Sequence, residues 1–438
     1  MYALYSALLA CFLLITLPYW LLQMLRHGKY RAGLRQRFGD IPPHLLKNAS
    51  ARRTLWVHAV SVGEVVASSG VVESLRREFP SHRVLVSTTT STGHKLAVKK
   101  FGAENVFYFP LDFAFAVRPY VEVLKPELCV IAETEFWPNF LRLAKRGGAR
   151  IAVINCRISD RSFPGYQRLR FWLPKVLDNV DLFLAQTEED KRRLIAIGAN
   201  EARTLVSGNL KFDVAPPSPP SIATSLRTSF EQTGAHPVLV CGSTLDEEER
   251  LLLSAFRNIL ATHPKAVTIL APRHPERFAE VANLVEQLGF PMWRRSLWSG
   301  EPLAGAVLVL DSIGELASLY SLATVAFVGG SLVPRGGHNI IEPAMYGAPI
   351  VTGNHYENFR EIVDFFRTRD AVRVVGMAEL ALVFMELIEN GEERGKLGRN
   401  ASAALDSQRG ATERTVVALQ NLMGEASTEA APAEGASQ

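Results

Sequence analysis

The fold of this chain is decided by one stretch near its carboxyl end, Val325-Ala-Phe-Val-Gly-Gly-Ser-Leu-Val-Pro-Arg-Gly-Gly-His-Asn-Ile-Ile-Glu-Pro-Ala-Met-Tyr-Gly-Ala-Pro-Ile-Val-Thr-Gly353. An apolar run ends in the pair Gly329-Gly330, a second pair follows at Gly336-Gly337, and Asn339 precedes Ile340-Ile341-Glu342. This order predicts a strand, a glycine loop and a capped helix start.

Such a stretch is typical of an anion site. Glycines let main-chain amides approach a phosphate, and a helix start directs its free N–H groups at the charge. In that site Glu342 would accept hydrogen bonds from the sugar hydroxyls of a nucleotide. The alternative is a tight turn that needs glycine for its backbone conformation, with Glu342 merely solvated.

Short apolar runs recur along the whole chain, and each is followed by a helical pattern. The runs cover residues 55–60, 83–89, 106–110, 128–133, 151–155 and 181–186 in the first half, and 237–244, 267–274 and 307–311 in the second. Strands that are apolar throughout and alternate with helices form parallel sheets covered on both faces. The fold class is therefore α/β, with two doubly wound Rossmann-like domains that we expect to face a central cleft.

The segment Ala215-Pro-Pro-Ser-Pro-Pro-Ser221 separates the two series of strands. Its four prolines cannot continue a helix or a central strand, which indicates a linker. We predict an N-terminal domain over residues 25–212, a linker over 213–223 and a C-terminal domain over 224–424. Residues 425–438 are mostly Ala, Glu, Ser and Pro and are predicted to be disordered.

The first 24 residues carry no charged side chain, and residues 3–22 are almost continuously apolar. A helix of this length is able to cross a hydrocarbon core of about 30 Å. Five basic residues follow before the first acidic one, Asp40, which predicts that the body of the protein stays in the cytoplasm. We therefore predict an uncleaved membrane anchor over residues 1–24, spanning the bilayer or lying in its interface. A buried core helix is the alternative.

The net charge of +4 conceals an asymmetry between the two halves. Residues 1–212 contain 30 Lys and Arg against 17 Asp and Glu, whereas the remainder contains 18 against 27. The basic half should face anionic lipid or nucleic acid. Nucleic acid is disfavoured because no basic motif is interleaved with aromatic residues. The four cysteines, Cys11, Cys129, Cys156 and Cys241, are far apart and predict neither disulfides nor a metal site.

Glu64 follows the first predicted strand and stands at the start of a helical pattern. At the carboxyl edge of a parallel sheet such a carboxylate can act as a general base towards a hydroxyl. Compensation of the helix dipole is an equally good explanation. Glu133 and Glu135, beside Trp137, follow another strand and should gather at the same edge.

Six stretches in both halves form a joint signature. They are His58-Ala-Val-Ser-Val-Gly-Glu64, Glu133-Thr-Glu-Phe-Trp-Pro-Asn139, Gly208-Asn-Leu-Lys-Phe-Asp213, Ala271-Pro-Arg-His-Pro-Glu-Arg-Phe278, Asp311-Ser-Ile-Gly-Glu315 and Phe327-Val-Gly-Gly-Ser-Leu-Val-Pro-Arg-Gly-Gly-His-Asn339. Together they resemble the 3-deoxy-D-manno-octulosonic acid (Kdo) transferases of lipopolysaccharide assembly, which have the two-domain GT-B glycosyltransferase architecture.

The resemblance implies transfer of Kdo from CMP-Kdo to a lipid A precursor, lipid IVA, with inversion and without a cofactor or a metal. It places the catalytic base at Glu64. The residues implied to hold the CMP of the donor are Pro272, Arg273, Ile313, Gly314, Glu315, Asn339, Ile340, Ile341 and Glu342. A charge argument adds Lys211 and Arg157 as partners of the Kdo carboxylate. Ile340-Ile341 replaces the Asn-Pro-Leu form common in the family, and Arg335 is assigned no role.

The resemblance also implies a location at the cell inner membrane, with a single-pass N-terminal anchor and cytoplasmic catalytic domains. The expected partners are CMP-Kdo, the lipid A precursor and anionic lipid, and no nucleic acid is expected. One alternative is a GT-B enzyme that uses another sugar nucleotide and lipid acceptor. Another is a non-catalytic, membrane-tethered binding protein with the same fold.

Overall fold

The structure, a computed structural model, describes residues 1–27, 32–46, 53–214 and 221–429. The chain divides into two compact units. The first unit contains Met1–Val214 together with Gln408–Gln438, and the second contains Ala215–Ser407. The predicted linker falls largely on residues 215–220, which lie outside the described residues.

Seven parallel strands form the sheet of the first unit, counted over the part of that unit that is described. They are β1 (Arg53–His58), β2 (His82–Thr88), β3 (Val106–Tyr108), β4 (Pro126–Ala132), β5 (Arg150–Cys156), β6 (Leu182–Ala185) and β7 (Thr204–Val206). Their order across the sheet is β3-β2-β1-β4-β5-β6-β7. The helices before residue 214 are α1 (Tyr2–His27), α2 (Leu34–Arg37), α3 (Pro43–Leu46), α4 (Val62–Glu78), α5 (Ser91–Phe101), α6 (Ala114–Leu124), α7 (Pro138–Arg146), α8 (Phe163–Arg168), α9 (Pro174–Leu177) and α10 (Glu188–Ala196).

The central strands of this sheet are buried on both faces, as their apolar sequences require. In β5, for example, every residue after Arg150 is buried. One face packs into a core that includes Trp56, Phe107 and Phe140, and the other packs into a core that includes Val57 and Val71. Helices therefore cover both faces, and the predicted parallel α/β architecture is confirmed for this unit.

The second unit repeats this plan with another seven parallel strands among its described residues. They are β8 (Val238–Thr244), β9 (Val267–Pro272), β10 (Met292–Arg294), β11 (Val307–Val309), β12 (Val325–Val328), β13 (Ile350–Gly353) and β14 (Arg373–Val375), in the order β10-β11-β9-β8-β12-β13-β14. The helices are α11 (Ser221–Thr233), α12 (Glu248–Thr262), α13 (Phe278–Gln287), α14 (Leu316–Leu319), α15 (Ile341–Ala344), α16 (Arg360–Arg367), α17 (Leu380–Glu389) and α18 (Gly391–Asp406). The apolar run at Val325 is thus a strand, as predicted, and it lies between β8 and β13.

The last helix, α19 (Ala411–Glu429), belongs to the first unit, whereas residues up to 424 were predicted to belong to the C-terminal domain. The carboxylate of Asp213 accepts hydrogen bonds from the backbone N–H groups of Gly410 at 2.8 Å and Thr412 at 2.5 Å. Leu419 and Met423 are buried in the core of the first sheet. These contacts hold the helix on the first unit. The predicted disordered tail begins inside this helix, and its residues 430–438 lie outside the described residues.

The amino-terminal segment forms a helix, and its first two turns contact the first unit. Arg142 lies over the ring of Tyr2 at 4.3 Å, and the Ser6 hydroxyl accepts a hydrogen bond from the side chain of Asn139 at 3.0 Å. The ring of Tyr5 lies 6.0 Å from that of Trp172. Polar contacts with the protein thus occupy one face of a segment that was predicted to be wholly a membrane anchor.

Among the residues that the structure describes, no helix is both long and apolar enough to cross a membrane. The predicted single-pass anchor therefore has no support from the structure. Two of the basic residues expected to flank it, Lys29 and Arg31, lie outside the described residues.

Candidate active site

Glu64 lies in the first turn of α4, directly after the turn that follows β1. Its carboxylate accepts hydrogen bonds from the backbone N–H of Val60 at 2.7 Å and from the Ser61 hydroxyl at 2.9 Å. These contacts satisfy donors at the start of the helix, where a carboxylate also compensates the helix dipole, so that explanation describes part of what Glu64 does. The residue is only 7% exposed and stands at the carboxyl edge of the sheet, where β1 lies between β2 and β4.

The electrostatic environment of Glu64 differs from that of a glutamate that only caps a helix. Burial, with smaller contributions from the negative charges of Glu133 and Glu135, raises the pKa of Glu64 to about 7. The hydrogen bonds from Val60 and Ser61 act in the opposite direction. A carboxylate whose pKa lies near the working pH is matched to accepting a proton from a hydroxyl group.

The structure brings Glu133 to the same edge of the sheet and pairs it with Lys211. Glu133 adopts a left-handed backbone conformation with φ of 58°, and its N–H donates to the carbonyl of Ile154 at 2.8 Å. Nζ of Lys211 lies 3.2 Å from the Glu133 carboxylate. Lys211 therefore has an acidic partner within the protein, and its role towards the Kdo carboxylate stays a prediction.

The loop that carries Glu135 also contacts Arg157 through Thr134. The Thr134 hydroxyl accepts a hydrogen bond from the backbone N–H of Arg157 at 3.1 Å and donates to the carbonyl of the same residue. Burial and the neighbouring Glu133 raise the pKa of Glu135. Arg157 thus lies beside the loop that carries Glu133 and Glu135, and its role towards the Kdo carboxylate stays a prediction.

Two polar side chains near this edge, those of His58 and Trp137, were not predicted as site residues. The ring of His58 stacks on Phe109 with centroids 3.9 Å apart, and burial lowers the pKa of His58 to about 3, so it is neutral. Its Nε2 and the Nε1 of Trp137 are buried without a hydrogen-bond partner in the described part of the chain. The signal in the sequence is a histidine within the otherwise apolar run Leu55–Val60.

Backbone N–H groups at and after the first glycine pair of the second unit already bind a carboxylate of the protein itself. The carboxylate of Glu248, at the start of α12, accepts hydrogen bonds from the N–H groups of Gly330 at 2.7 Å, Ser331 at 2.8 Å and Leu332 at 2.8 Å. The prediction that the amides of this glycine pair cradle a phosphate is therefore wrong, because the N–H of Gly330 donates to Glu248 and that of Gly329 donates to the carbonyl of Gly242 at 2.8 Å.

Three residues predicted to bind the CMP of the donor, Asn339, Glu342 and Arg273, lie close together in the structure. Asn339 Oδ1 accepts a hydrogen bond from the N–H of Ile341, the first residue of α15, at 3.1 Å, although the N-cap position itself is taken by Ile340. Burial raises the pKa of Glu342, while the nearby charge of Arg273 and a hydrogen bond with Asn339 lower it. Glu342 is thus held among polar partners and is not merely solvated.

The strand order of the second sheet brings Arg273 close to Asn339 and Glu342. Its strand, β9, is next to β8, and β8 is next to β12, so the residues that follow these strands share one edge. The backbone N–H of Arg273 donates to the carbonyl of Thr244 at 2.9 Å, and its side chain is exposed. Pro272 is buried at the end of β9. Ile340, between Asn339 and α15, is fully buried.

The turn at Ile313-Gly314-Glu315 follows β11, which neighbours β9 in the sheet. Ile313 is 81% exposed, and Gly314 has φ of 92°, which favours glycine. The carboxylate of Glu315 lies 3.0 Å from the guanidinium of Arg295. The three residues are at the predicted edge, and their contact with CMP stays a prediction.

Two doubly wound α/β units in one chain are the plan of the GT-B class of fold. A solved glycosyltransferase from Rickettsia africae is similar in fold, with a TM-score of 0.54 and 12% identity, covering 85% of this chain and 98% of that one. Residues 32–214 match the sequence model of a family described as 3-Deoxy-D-manno-octulosonic-acid transferase (kdotransferase).

Two curated relatives are similar over most of the chain. The 3-deoxy-D-manno-octulosonic acid transferase of Haemophilus influenzae is 33% identical over 427 residues, which are 95% of this chain and 97% of that protein. The protein of the same name from Bordetella pertussis is 35% identical over 384 residues, 84% of this chain and 87% of that protein. The chain belongs to the Kdo transferase family and is a glycosyltransferase.

Proposed function

We propose that this chain moves Kdo from CMP-Kdo to a hydroxyl of the lipid A precursor lipid IVA, with inversion at the anomeric carbon and Glu64 as general base. Family membership supports the transfer of Kdo. One observation carries the choice of base: Glu64 is buried at the edge of the sheet, and its pKa is raised to about 7. An ordinary capping glutamate on a helix surface has no such shift.

In the proposed reaction, the Glu64 carboxylate takes the proton of the acceptor hydroxyl while the hydroxyl oxygen attacks the anomeric carbon of Kdo. The bond between that carbon and the phosphate oxygen of CMP breaks, and the electron pair leaves with the phosphate oxygen. Arg273 would stabilise the charge on the departing phosphate through charge-assisted hydrogen bonds. Asn339 and Glu342 would bind the ribose hydroxyls.

A donor comparison tests the proposed function. The purified protein is incubated with lipid IVA and either CMP-Kdo or one of several UDP-sugars, and nucleotide release is measured. Release only from CMP-Kdo supports the proposal, whereas release from a UDP-sugar supports a GT-B enzyme with another donor. Binding of CMP-Kdo without any turnover would support a non-catalytic binding protein.

The rate of transfer should rise with pH through the pKa of Glu64. Because the base must be ionised, kcat/KM for the acceptor is expected to fall below about pH 7 and to level off above it. The charge of Glu133 raises this pKa, so Glu133→Gln should move the acid limb to lower pH. The profiles of wild type and variant are compared with CMP-Kdo held in excess. An acid limb that is the same in both would contradict the coupling.

We also propose that the exposed face of α1 lies in the membrane interface, where a lipid acceptor would be found. Four large apolar side chains recur at helical spacing on this face and are more than half exposed, namely Leu4, Leu8, Phe12 and Ile15. Tyr2, Tyr5 and Ser6, on another face, contact the protein. The helix is therefore held to the first unit while it presents apolar side chains outward.

Replacing Leu8 and Ile15 by Glu should reduce binding of the protein to vesicles that contain anionic lipid. The substitution removes two apolar contacts with the acyl boundary and adds charges that resist burial there. Cosedimentation with the vesicles measures the effect, and turnover of CMP-Kdo with an acceptor in detergent should be retained. Leu297→Glu, at a leucine of the second unit that is 69% exposed, is the control. Equal loss of binding in the control would refute the role of α1.

A further inference from the structure

The carboxylate of Glu248 is buried completely, and four backbone N–H groups donate to it. Oε1 accepts from Ser331 and Leu332, each at 2.8 Å, and Oε2 accepts from Leu245 at 2.9 Å and Gly330 at 2.7 Å. The residue has no exposed surface. A buried charge is tolerated when its hydrogen-bonding capacity is filled, and here both oxygens are filled. The contact joins the start of α12 to a loop more than eighty residues further along the chain.

The shape of the loop fits this carboxylate. A side chain at Gly329 would place its Cβ 2.9 Å from Glu248 Oε2 and 2.8 Å from the carbonyl oxygen of Ser243. Such distances are too short for any Cβ, so the close approach requires glycine at this position. Glycine at position 329 therefore leaves room both for the carboxylate of Glu248 and for the backbone at Ser243.

The loop connects Glu248 to the residues that are predicted to bind the donor. Gly330 has φ of 68°, its N–H donates to Glu248, and its carbonyl accepts from the N–H of Gly337 at 2.7 Å. A Cβ at Gly330 would lie 2.7 Å from the ring of His338, so backbone and imidazole are in direct contact. Asn339 is the next residue, and hydrogen bonding from it lowers the pKa of Glu342.

His338 provides a second connection between this loop and the residues that are predicted to bind the donor. Burial, and then the charges of Arg273 and His274, lower the pKa of His338 to about 4, so the imidazole is neutral near pH 7. Its Nε2 is buried without a hydrogen-bond partner among the described residues. The ring thus contacts Gly330 of the loop that Glu248 holds, and the charge of Arg273 is near enough to act on it.

We infer that Glu248 is a positioning residue for the nucleotide of the donor: it fixes the loop at residues 330–332 and thereby sets His338 and Asn339 in the geometry that binds CMP. The inference rests on the proposed function, in which CMP-Kdo is the donor. It differs from a purely structural role in one respect. Loss of a positioning residue changes affinity for the donor, whereas loss of a structural residue lowers the amount of active enzyme and leaves both KM values unchanged.

Glu248→Gln is the most specific change. The amide is close in shape to the carboxylate, but its NH2 group replaces one oxygen and faces two backbone N–H groups that need an acceptor. Two of the four hydrogen bonds are lost whichever way the amide is turned. We expect the dissociation constant of CMP and KM for CMP-Kdo to rise about ten- to a hundredfold, with KM for the lipid acceptor unchanged.

Glu247→Gln is the matched control, since it makes the same chemical change at the adjacent exposed residue and should leave both constants as in wild type. If Glu248→Gln does not fold, Glu248→Asp keeps the charge and shortens the reach, and the same weakening of CMP binding is expected. Binding of CMP is measured by calorimetry on the full chain. Unchanged affinity in a folded Glu248 variant overturns the inference, while failure of the wild type to bind CMP overturns the proposed donor and the inference with it.

Discussion

Glu64→Gln is expected to reduce Kdo transfer by about 10²- to 10⁴-fold, the usual contribution of a general base. The glutamine side chain can replace the carboxylate in part of the helix cap, but it cannot take a proton from the acceptor hydroxyl. Binding of CMP should not change, because the residues assigned to CMP belong to the other unit of the chain. The measurement is single-turnover transfer with both substrates saturating, together with calorimetry of CMP binding.

Loss of activity in Glu64→Gln should not come from unfolding. A carboxylate with a raised pKa contributes stability below its unfolded pKa of about 4.5, and this contribution is lost as pH rises through about 7. At pH 8 the buried charge therefore disfavours the folded state, and the variant should unfold at a temperature no lower than that of the wild type. Glu73→Gln, at an exposed residue of the same helix, is the control for activity. A fully active Glu64→Gln enzyme would contradict the assignment of Glu64 as the general base.

Arg273→Ala is expected to weaken the binding of CMP-Kdo. A hydrogen bond between a guanidinium and a phosphate contributes about 1.5–3 kcal/mol, so KM for CMP-Kdo should rise roughly ten- to a hundredfold. The KM for the lipid acceptor should stay as it is. Arg273→Lys should recover only part of the affinity, because an ammonium group lacks the planar pair of donors.

The charge of Arg273 also lowers the pKa of Glu342, so its removal should make that carboxyl easier to protonate. Donor binding by Arg273→Ala should consequently weaken further as pH falls, more steeply than binding by the wild type. Arg250→Ala, at an exposed arginine of α12, provides the matched loss of a positive charge. Equal donor KM values for Arg273→Ala and Arg250→Ala would contradict a role for Arg273 in binding CMP.

The parallel sheets could be predicted from the sequence because their strands are short, apolar throughout and separated by helices. This pattern is local, and it is strong in β1, β2, β4 and β5, whose residues are nearly all buried. The placement of α19 on the first unit could not be predicted in this way. It depends on bonds from Gly410 and Thr412 to Asp213, about two hundred residues earlier in the chain.

The candidate site was predictable in its residue types and less so in its contacts. Asn339 and Glu342 were expected together, since they are three positions apart at a helix start. The carboxylate of Glu248 in the glycine loop was not expected, because nothing near that loop in the sequence signals an internal anion. The pairing of Lys211 with Glu133 is also long-range, and only the strand order of the sheet brings the two residues together.

Transfer of Kdo from CMP-Kdo to a lipid A precursor is the central property that we propose for this chain. The direct measurement is the mass of the lipid after incubation of tetra-acylated precursor and CMP-Kdo with the wild type and with Glu64→Gln. We predict that the wild-type product gains the mass of one or more Kdo residues and that the variant leaves the lipid unchanged. A lipid of unchanged mass with folded, CMP-binding wild type, or equal products from both proteins, would contradict the account.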